Sequence, residues 1–166
     1  MVKAYKYGDD VNTDVIFPGK YTYTVTDPKD MAKHAMEDID PDFVSTVETG
    51  DIIVAGKNFG CGSSREQAAI CLKENGVPVI IAKSFSRIFY RNAINAGIAA
   101  VTSADTEAIE HGDEVEVDIA SGTLLDKTKG VTIQFNPVPS FMMKILEDGG
   151  LVPHVKKKIA RGGGKD

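Results

Sequence analysis

Apolar residues along this chain change rhythm near its middle. Between residues 51 and 102, short unbroken apolar runs alternate with longer stretches in which apolar residues recur every third or fourth position. The segments 51–55, 77–82 and 98–102, which carry those runs, read as buried strands. Between them, 65–75 reads as an amphipathic helix, with Ala68, Ala69, Cys71 and Leu72 inward and Asn75-Gly76 as its stop. Segment 84–95 reads as a second helix, with Phe85, Ile88, Phe89 and Ile94 on its apolar side and Gly97 closing it. That order of strands and helices predicts a partly parallel sheet with right-handed crossovers. Beyond residue 113 the period becomes two. Val115, Val117 and Ile119 share one face, a Ser121-Gly122 turn follows, and 123–125 and 131–135 read as return strands of antiparallel hairpins.

The flanks are less regular. Residues 4–7 and 15–17 read as short strands around a Gly8-Asp9-Asp10 turn. Residues 18–27 form a polar loop, and 28–37 a helix with Asp27 as its cap and Pro28 at its first position. Residues 38–49 read as irregular. Helices are expected at 141–147 and near 155–161, the latter with Lys156, Lys157 and Lys158 as a solvated end that complements the helix dipole. Residues 1–161 are expected to form one domain, and 162–166 a disordered tail.

Composition narrows the function. The chain has 166 residues, and 19 basic against 24 acidic side chains leave a net charge of −5, which argues against nucleic acid as a partner. No apolar run approaches a membrane span, and no basic-then-apolar leader opens the chain, so the cytoplasm is expected. The two cysteines, Cys61 and Cys71, make neither a disulfide framework nor a metal pair, and His34, His111 and His154 lack ligand spacing. No metal site is expected. Cys71 reads as core and Cys61 as a small turn residue.

Candidate chemistry concentrates in Gly56-Lys57-Asn58-Phe59-Gly60-Cys61-Gly62-Ser63-Ser64-Arg65-Glu66, between an apolar run and a helix. Glycines free the backbone, and hydroxyls and a guanidinium then stand where helical N–H groups point outward, an arrangement suited to an anion. A plainer role competes: Ser63 with Glu66, and Ser64 with Gln67, both fit the Ser-x-x-Glu/Gln capping box.

This segment resembles the signature of the small subunit of 3-isopropylmalate dehydratase, which corresponds to the swivelling domain of aconitase. Asp10-Val11-Asn12-Thr13-Asp14-Val15-Ile16-Phe17-Pro18 and Ser84-Phe85-Ser86-Arg87-Ile88-Phe89-Tyr90-Arg91-Asn92-Ala93-Ile94-Asn95 resemble two further motifs of that family, in the expected order. The resemblance spans about residues 3–159. It implies an α/β fold: the swivelling β/β/α domain, a mixed sheet with a partly open, barrel-like β portion.

It also implies a hydro-lyase half-site. Ser63 matches the catalytic serine, an alkoxide base; Ser64 and Arg65 match substrate-binding neighbours; Asp14 matches a position near the substrate, although a turn-forming role is equally open. The loop carrying Tyr21, Thr22 and Thr24 matches the segment that meets the variable substrate substituent. Thr22 stands where many members have Leu, and Gln67 where many have His. A four-iron cluster needs at least three thiolates and this chain has two, so the resemblance places that [4Fe–4S] cluster in a separate large subunit. Arg87 and Arg91, at i and i+4, are candidate interface contacts.

The expected substrate is a small di- or tricarboxylate. Isopropylmalate isomerisation in leucine biosynthesis comes first; homoaconitate or a dialkylmalate such as 2,3-dimethylmalate is the alternative. A nucleotide- or phosphate-binding module is a rival, but the chain lacks the Walker lysine spacing and Gly-x-Gly-x-x-Gly. A non-catalytic anion-binding or regulatory subunit is another. Self-association of the isolated subunit is left open.

Overall fold

The computed structural model describes residues 1–162. Four parallel strands form the central sheet in the order β1 (Ala4–Lys6), β2 (Ile52–Ala55), β3 (Val79–Ala82), β4 (Ala99–Thr102). Every crossover steps to the next neighbour. The register pairs Ala4 with Ile52, Ile53 with Ile80, and Val79 with Ala99.

Period-two alternation then sorts these strands onto two faces. Tyr5, Ile53, Ala55, Ile80, Ala82 and Ala100 join one core with residues of α2 (Pro28–Ala32), α4 (Glu66–Glu74) and α5 (Arg87–Ala96). Ala4, Ile52, Val54, Val79, Ile81 and Val101 join a second core with Val115, Leu124 and Ile133. These last three come from an antiparallel sheet of β5 (Val115–Asp118), β6 (Thr123–Asp126) and β7 (Val131–Gln134). The layers are therefore helices, parallel sheet, antiparallel sheet, the β/β/α arrangement that the resemblance implies. An antiparallel bridge from Lys3 to Glu114 joins the two sheets. Two C-terminal helices, α6 (Ser140–Glu147) and α7 (Leu151–Ala160), pack beside α5. Among the described residues, no helix is long and apolar enough to cross a membrane.

Several local expectations fail for identifiable reasons. Residues 15–17 are not a strand: Thr13–Ile16 form a one-turn helix, α1, because the Asn12 side chain caps it through the Val15 N–H at 2.9 Å. The helix expected at 28–37 closes at Ala32, although Asp27 caps it through the Lys29 N–H as expected. Met36 takes a left-handed φ of 61° and sends its N–H to the Ile16 carbonyl at 2.8 Å instead of back along a helix. Within the stretch expected to be irregular, Phe43–Thr46 form a short helix, α3, anchored by fully buried Phe43 against Tyr5 and by the Tyr5 hydroxyl on Thr46 Oγ1. Ile88, expected on the apolar side of its helix, is 48% exposed. Gly162 lies in a turn after α7, and the rest of the expected tail lies outside the described residues.

Candidate functional site

The three motifs converge. The loop between β2 and α4 is held on one side by the Gly8-Asp9-Asp10 turn: the Lys57 N–H donates to Asp9 Oδ1 at 2.7 Å, and the Asp10 N–H to the Lys57 carbonyl at 2.8 Å. On the other side stands the entry to α5. The Asn58 N–H donates to Ser84 Oγ at 2.7 Å, and the Ser86 hydroxyl donates to the Gly60 carbonyl at 2.8 Å. From below, fully buried Phe59 meets Phe89 edge-on with ring centres 5.2 Å apart. Gly60 has a φ of 80°, and a β-carbon there would overlap the Phe89 side chain. Only glycine fits that approach.

The loop's final residues rest on α1. The Thr13 N–H donates to the Cys61 carbonyl at 2.8 Å, and the Thr13 hydroxyl to the Ser63 carbonyl at 2.9 Å. Thr13 is itself buried. Sequence reasoning passed over it because a buried threonine inside a short motif carries no chemical signal of its own.

Above this support the chemistry is open. Ser63 and Ser64 are exposed, and among the described residues neither hydroxyl makes a hydrogen bond. The N-cap of α4 is Arg65, with extended backbone and no capping side chain. Both capping boxes expected from the sequence are thus unformed, and the helix N-terminus keeps unsatisfied N–H groups that favour an anion. The Arg65 guanidinium pairs with Asp14 at 2.5 Å and donates to the Phe17 carbonyl at 3.4 Å. Its side chain is 18% exposed against 60% for Asp14. Asp14 therefore holds a sheltered cation from the solvent side.

The loop beyond Pro18 is divided. Half-buried Tyr21 stacks on His34 with ring centres 3.8 Å apart. The Thr22 hydroxyl is buried without a hydrogen-bond partner. Thr24 is exposed, and so is Tyr23, at 93%, which sequence reasoning left out of the site. Gly19 sits beside Arg65 and Asp14; a β-carbon there would lie 3.1 Å from Arg65 Nη2.

The cysteines do not form a ligand set. Cys71 is buried, its thiol directed at the Ile16 and Ala68 carbonyls, and burial pushes its pKa well above the usual thiol range. Cys61 is half-buried in the loop. Among the described residues there is no group of three or more His, Cys, Asp or Glu side chains that could hold a metal ion. The residues present do not fit an iron–sulfur cluster. A cleft of about 770 Å³ between α6 and α7 is lined by Phe141, Lys144, His154 and Arg161 among others and shares no residue with the loop. Arg87 and Arg91 are exposed on α5 and form no ion pair among the described residues.

An exposed serine beside a sheltered arginine, at the uncapped start of a helix in a β/β/α domain, is an arrangement suited to an anion, and it lies open at the surface. Residues 10–106 match the family model described as the aconitase C-terminal domain. The chain is 55% identical over 155 residues to the 3-isopropylmalate dehydratase small subunit 2 of Archaeoglobus fulgidus, covering 93% of each chain. It is 50% identical over 160 residues to the 3-isopropylmalate dehydratase small subunit of Wolinella succinogenes, covering 96% of this chain and 95% of that one. A crystal structure of 3-isopropylmalate dehydratase from Methanocaldococcus jannaschii superposes with a TM-score of 0.90 at 47% identity, covering 96% of this chain and 95% of that one. The chain belongs to the aconitase C-terminal domain family, among the 3-isopropylmalate dehydratase small subunits.

Proposed function

We propose that this chain is the small subunit of a two-subunit hydro-lyase that interconverts 3- and 2-isopropylmalate by losing and re-adding water, a cytoplasmic step of leucine biosynthesis. The observation that carries the reading is the free Ser63 hydroxyl above the uncapped start of α4, beside Arg65. The small subunits to which the chain is similar support the substrate.

The chain's residues divide the work. Ser63, as an alkoxide, takes the proton from the carbon next to the departing hydroxyl and returns it in the reverse direction. The free N–H groups at the start of α4 and the Arg65 guanidinium stabilise that anion. Arg65 offers a planar fork to a substrate carboxylate, as do the Ser64 hydroxyl and N–H more weakly. Asp14 orients Arg65, and Thr13 fixes the Ser63 backbone. No described residue of this chain would hold the [4Fe–4S] cluster; the large subunit would carry it, and it would contribute Lewis acidity toward the departing hydroxyl. Tyr23 and Thr24 are the loop residues exposed for the substrate's substituent, whereas Tyr21 is stacked on His34 and the Thr22 hydroxyl is buried.

The test is reconstitution with the cluster-bearing large subunit, assayed on isopropylmalate, homoaconitate and 2,3-dimethylmalate. Isopropylmalate should show the highest kcat/KM. Ser63→Ala should abolish turnover and leave Tm unchanged, because the Ser63 hydroxyl caps nothing. Turnover within tenfold of wild type sinks the assignment of the base. No activity from the wild-type pair on any of the three acids sinks the enzymatic reading.

A further inference from the structure

Three side chains from the first turns of α4 donate to carbonyls of a single segment. Arg65 reaches Phe17 at 3.4 Å, Cys71 reaches Ile16 at 3.7 Å, and Gln67 Nε2 reaches Thr22 at 3.1 Å. The first two hold the segment where it leaves α1. At its far end Tyr21 stacks on His34 and Gln67 donates to the backbone, and among the described residues no other protein group donates to the Thr22 carbonyl. Between these anchors the chain makes a 3-10 turn at Gly19–Tyr21, with Gly19 against Arg65 and Asp14. Past the Gln67 anchor stand Tyr23 and Thr24, both exposed.

We propose that Gln67 is a positioning residue: its hydrogen bond to the Thr22 carbonyl fixes the exposed Tyr23–Thr24 apex relative to the Arg65 clamp, and so sets which substrate substituent the assembled enzyme accepts. This rests on the functional reading above. Two observations carry it. Gln67 lies two residues after Arg65, so the anchor and the clamp leave the same end of α4. The Thr22 hydroxyl is buried and has no partner. A buried orphan hydroxyl carries a desolvation penalty and persists only where other contacts over-determine the backbone. Gln67, with Tyr21 stacked on His34, supplies those contacts.

The test uses the reconstituted enzyme and the isolated chain in parallel. Gln67→Met keeps length and loses the donor; Gln67→His keeps a ring N–H donor. Gln67→Met should change the ratio of kcat/KM for isopropylmalate against 2,3-dimethylmalate by about two- to tenfold, the range of one lost hydrogen bond, with an unchanged Tm. Gln67→His should restore most of the ratio. In the isolated chain, Gln67→Met should speed amide exchange at residues 22–25 and leave 61–64 protected as in wild type. An unaltered ratio together with unaltered exchange overturns the proposal, as does equal loss on both substrates with a lowered Tm. If the wild-type pair turns over neither acid, the functional reading fails by itself, and unaltered exchange then also removes the anchor.

Discussion

Two glycines of the loop between β2 and α4 share a left-handed backbone and differ in what surrounds them, so alanine at each separates two physical costs. Gly60 and Gly62 have φ of 80° and 96°. Either alanine meets the left-handed penalty, about 1–2 kcal/mol. At Gly62 nothing is added, since the new methyl would lie 3.5 Å from Thr13 Oγ1, an ordinary contact. At Gly60 it would overlap Cβ and Cγ of Phe89 and lie 2.7 Å from Cδ1, and Phe89 is 1% exposed with Phe59 packed on it. Forcing a methyl into a filled core adds about 1–3 kcal/mol. Gly60→Ala should therefore cost about 2–5 kcal/mol against about 1–2 for Gly62→Ala. At roughly 2–4 °C per kcal/mol for a chain of this size, Tm should fall by roughly 4–20 °C and roughly 2–8 °C respectively. The assay is thermal unfolding of the isolated chain by circular dichroism. Adding Phe89→Leu should recover part of the Gly60→Ala loss and none of the Gly62→Ala loss, a non-additive pair against an additive one. Equal shifts for the two glycines, or additivity with Phe89→Leu at both, would refute the argument that the loop is seated on Phe89.

Arg65→Lys should raise KM about 10- to 150-fold in the reconstituted enzyme, because lysine keeps the charge and loses the two-pronged grip, worth about 1.5–3 kcal/mol; steady-state kinetics decide, and an unchanged KM removes Arg65 as the clamp. Asp126, fully buried on β6, has its pKa raised by burial and by neighbouring Asp113, while the Glu110 amide and Lys129 outweigh burial to hold Asp113 low. A raised carboxyl pKa means that the folded state binds the extra proton, so this stabilisation is complete below the unfolded value of about 3.9 and is lost as pH rises through the folded value. Asp126→Asn keeps an acceptor for the Thr128 and Lys129 amides and cannot ionise, so the variant should melt higher than wild type at pH 8 and show a flatter Tm–pH curve between pH 4 and 8.

Much of this architecture could be read from spacing alone, and the exceptions share a cause. The parallel strands were legible because both faces are buried, which leaves unbroken runs such as Ile52–Ala55. The strand at 15–17 was misread because Val15 and Ile16 look β-like locally, while Asn12 and the distant Cys61 loop decide the backbone. Ile88 was placed inward by its spacing from Phe85. Phe85, however, precedes the Ser86 cap and is not helical, so the helical period begins later and turns Ile88 to water. At the site, Ser63, Ser64 and Arg65 stood out as a cluster in sequence. The roles of Thr13 and Gln67 depend on contacts across 50 and 45 residues, which no local pattern carries.

The helix starts around the site show where local stability gives way to chemistry. α1 and α5 are capped by Asn12 and Ser86, each accepting from an N–H three residues on. α4 begins just after two serines and is capped by neither. A serine cap contributes about 1 kcal/mol, and shifting the helix start back would recover it. The shift is blocked from outside the segment, because the Thr13 hydroxyl holds the Ser63 carbonyl and Arg65 is drawn into the Asp14–Phe17 corner with extended backbone. Conflict between a strong local signal and the tertiary structure is uncommon in natural sequences and concentrates at functional sites. Here it leaves two exposed hydroxyls, a set of N–H groups and one sheltered guanidinium at a single helix start on a chain whose net charge is −5. An acidic surface does not gather an anionic substrate by its overall field, so on the proposed function affinity for a dicarboxylate has to come from donors fixed at close range. Those donors lie open on one side, and a dry reaction site exists only once a second protein covers them. The same reasoning explains why the 770 Å³ cleft between α6 and α7 lies elsewhere: on the proposed function the loop is half of an active site, and such a half, seen alone, is a surface rather than a cavity.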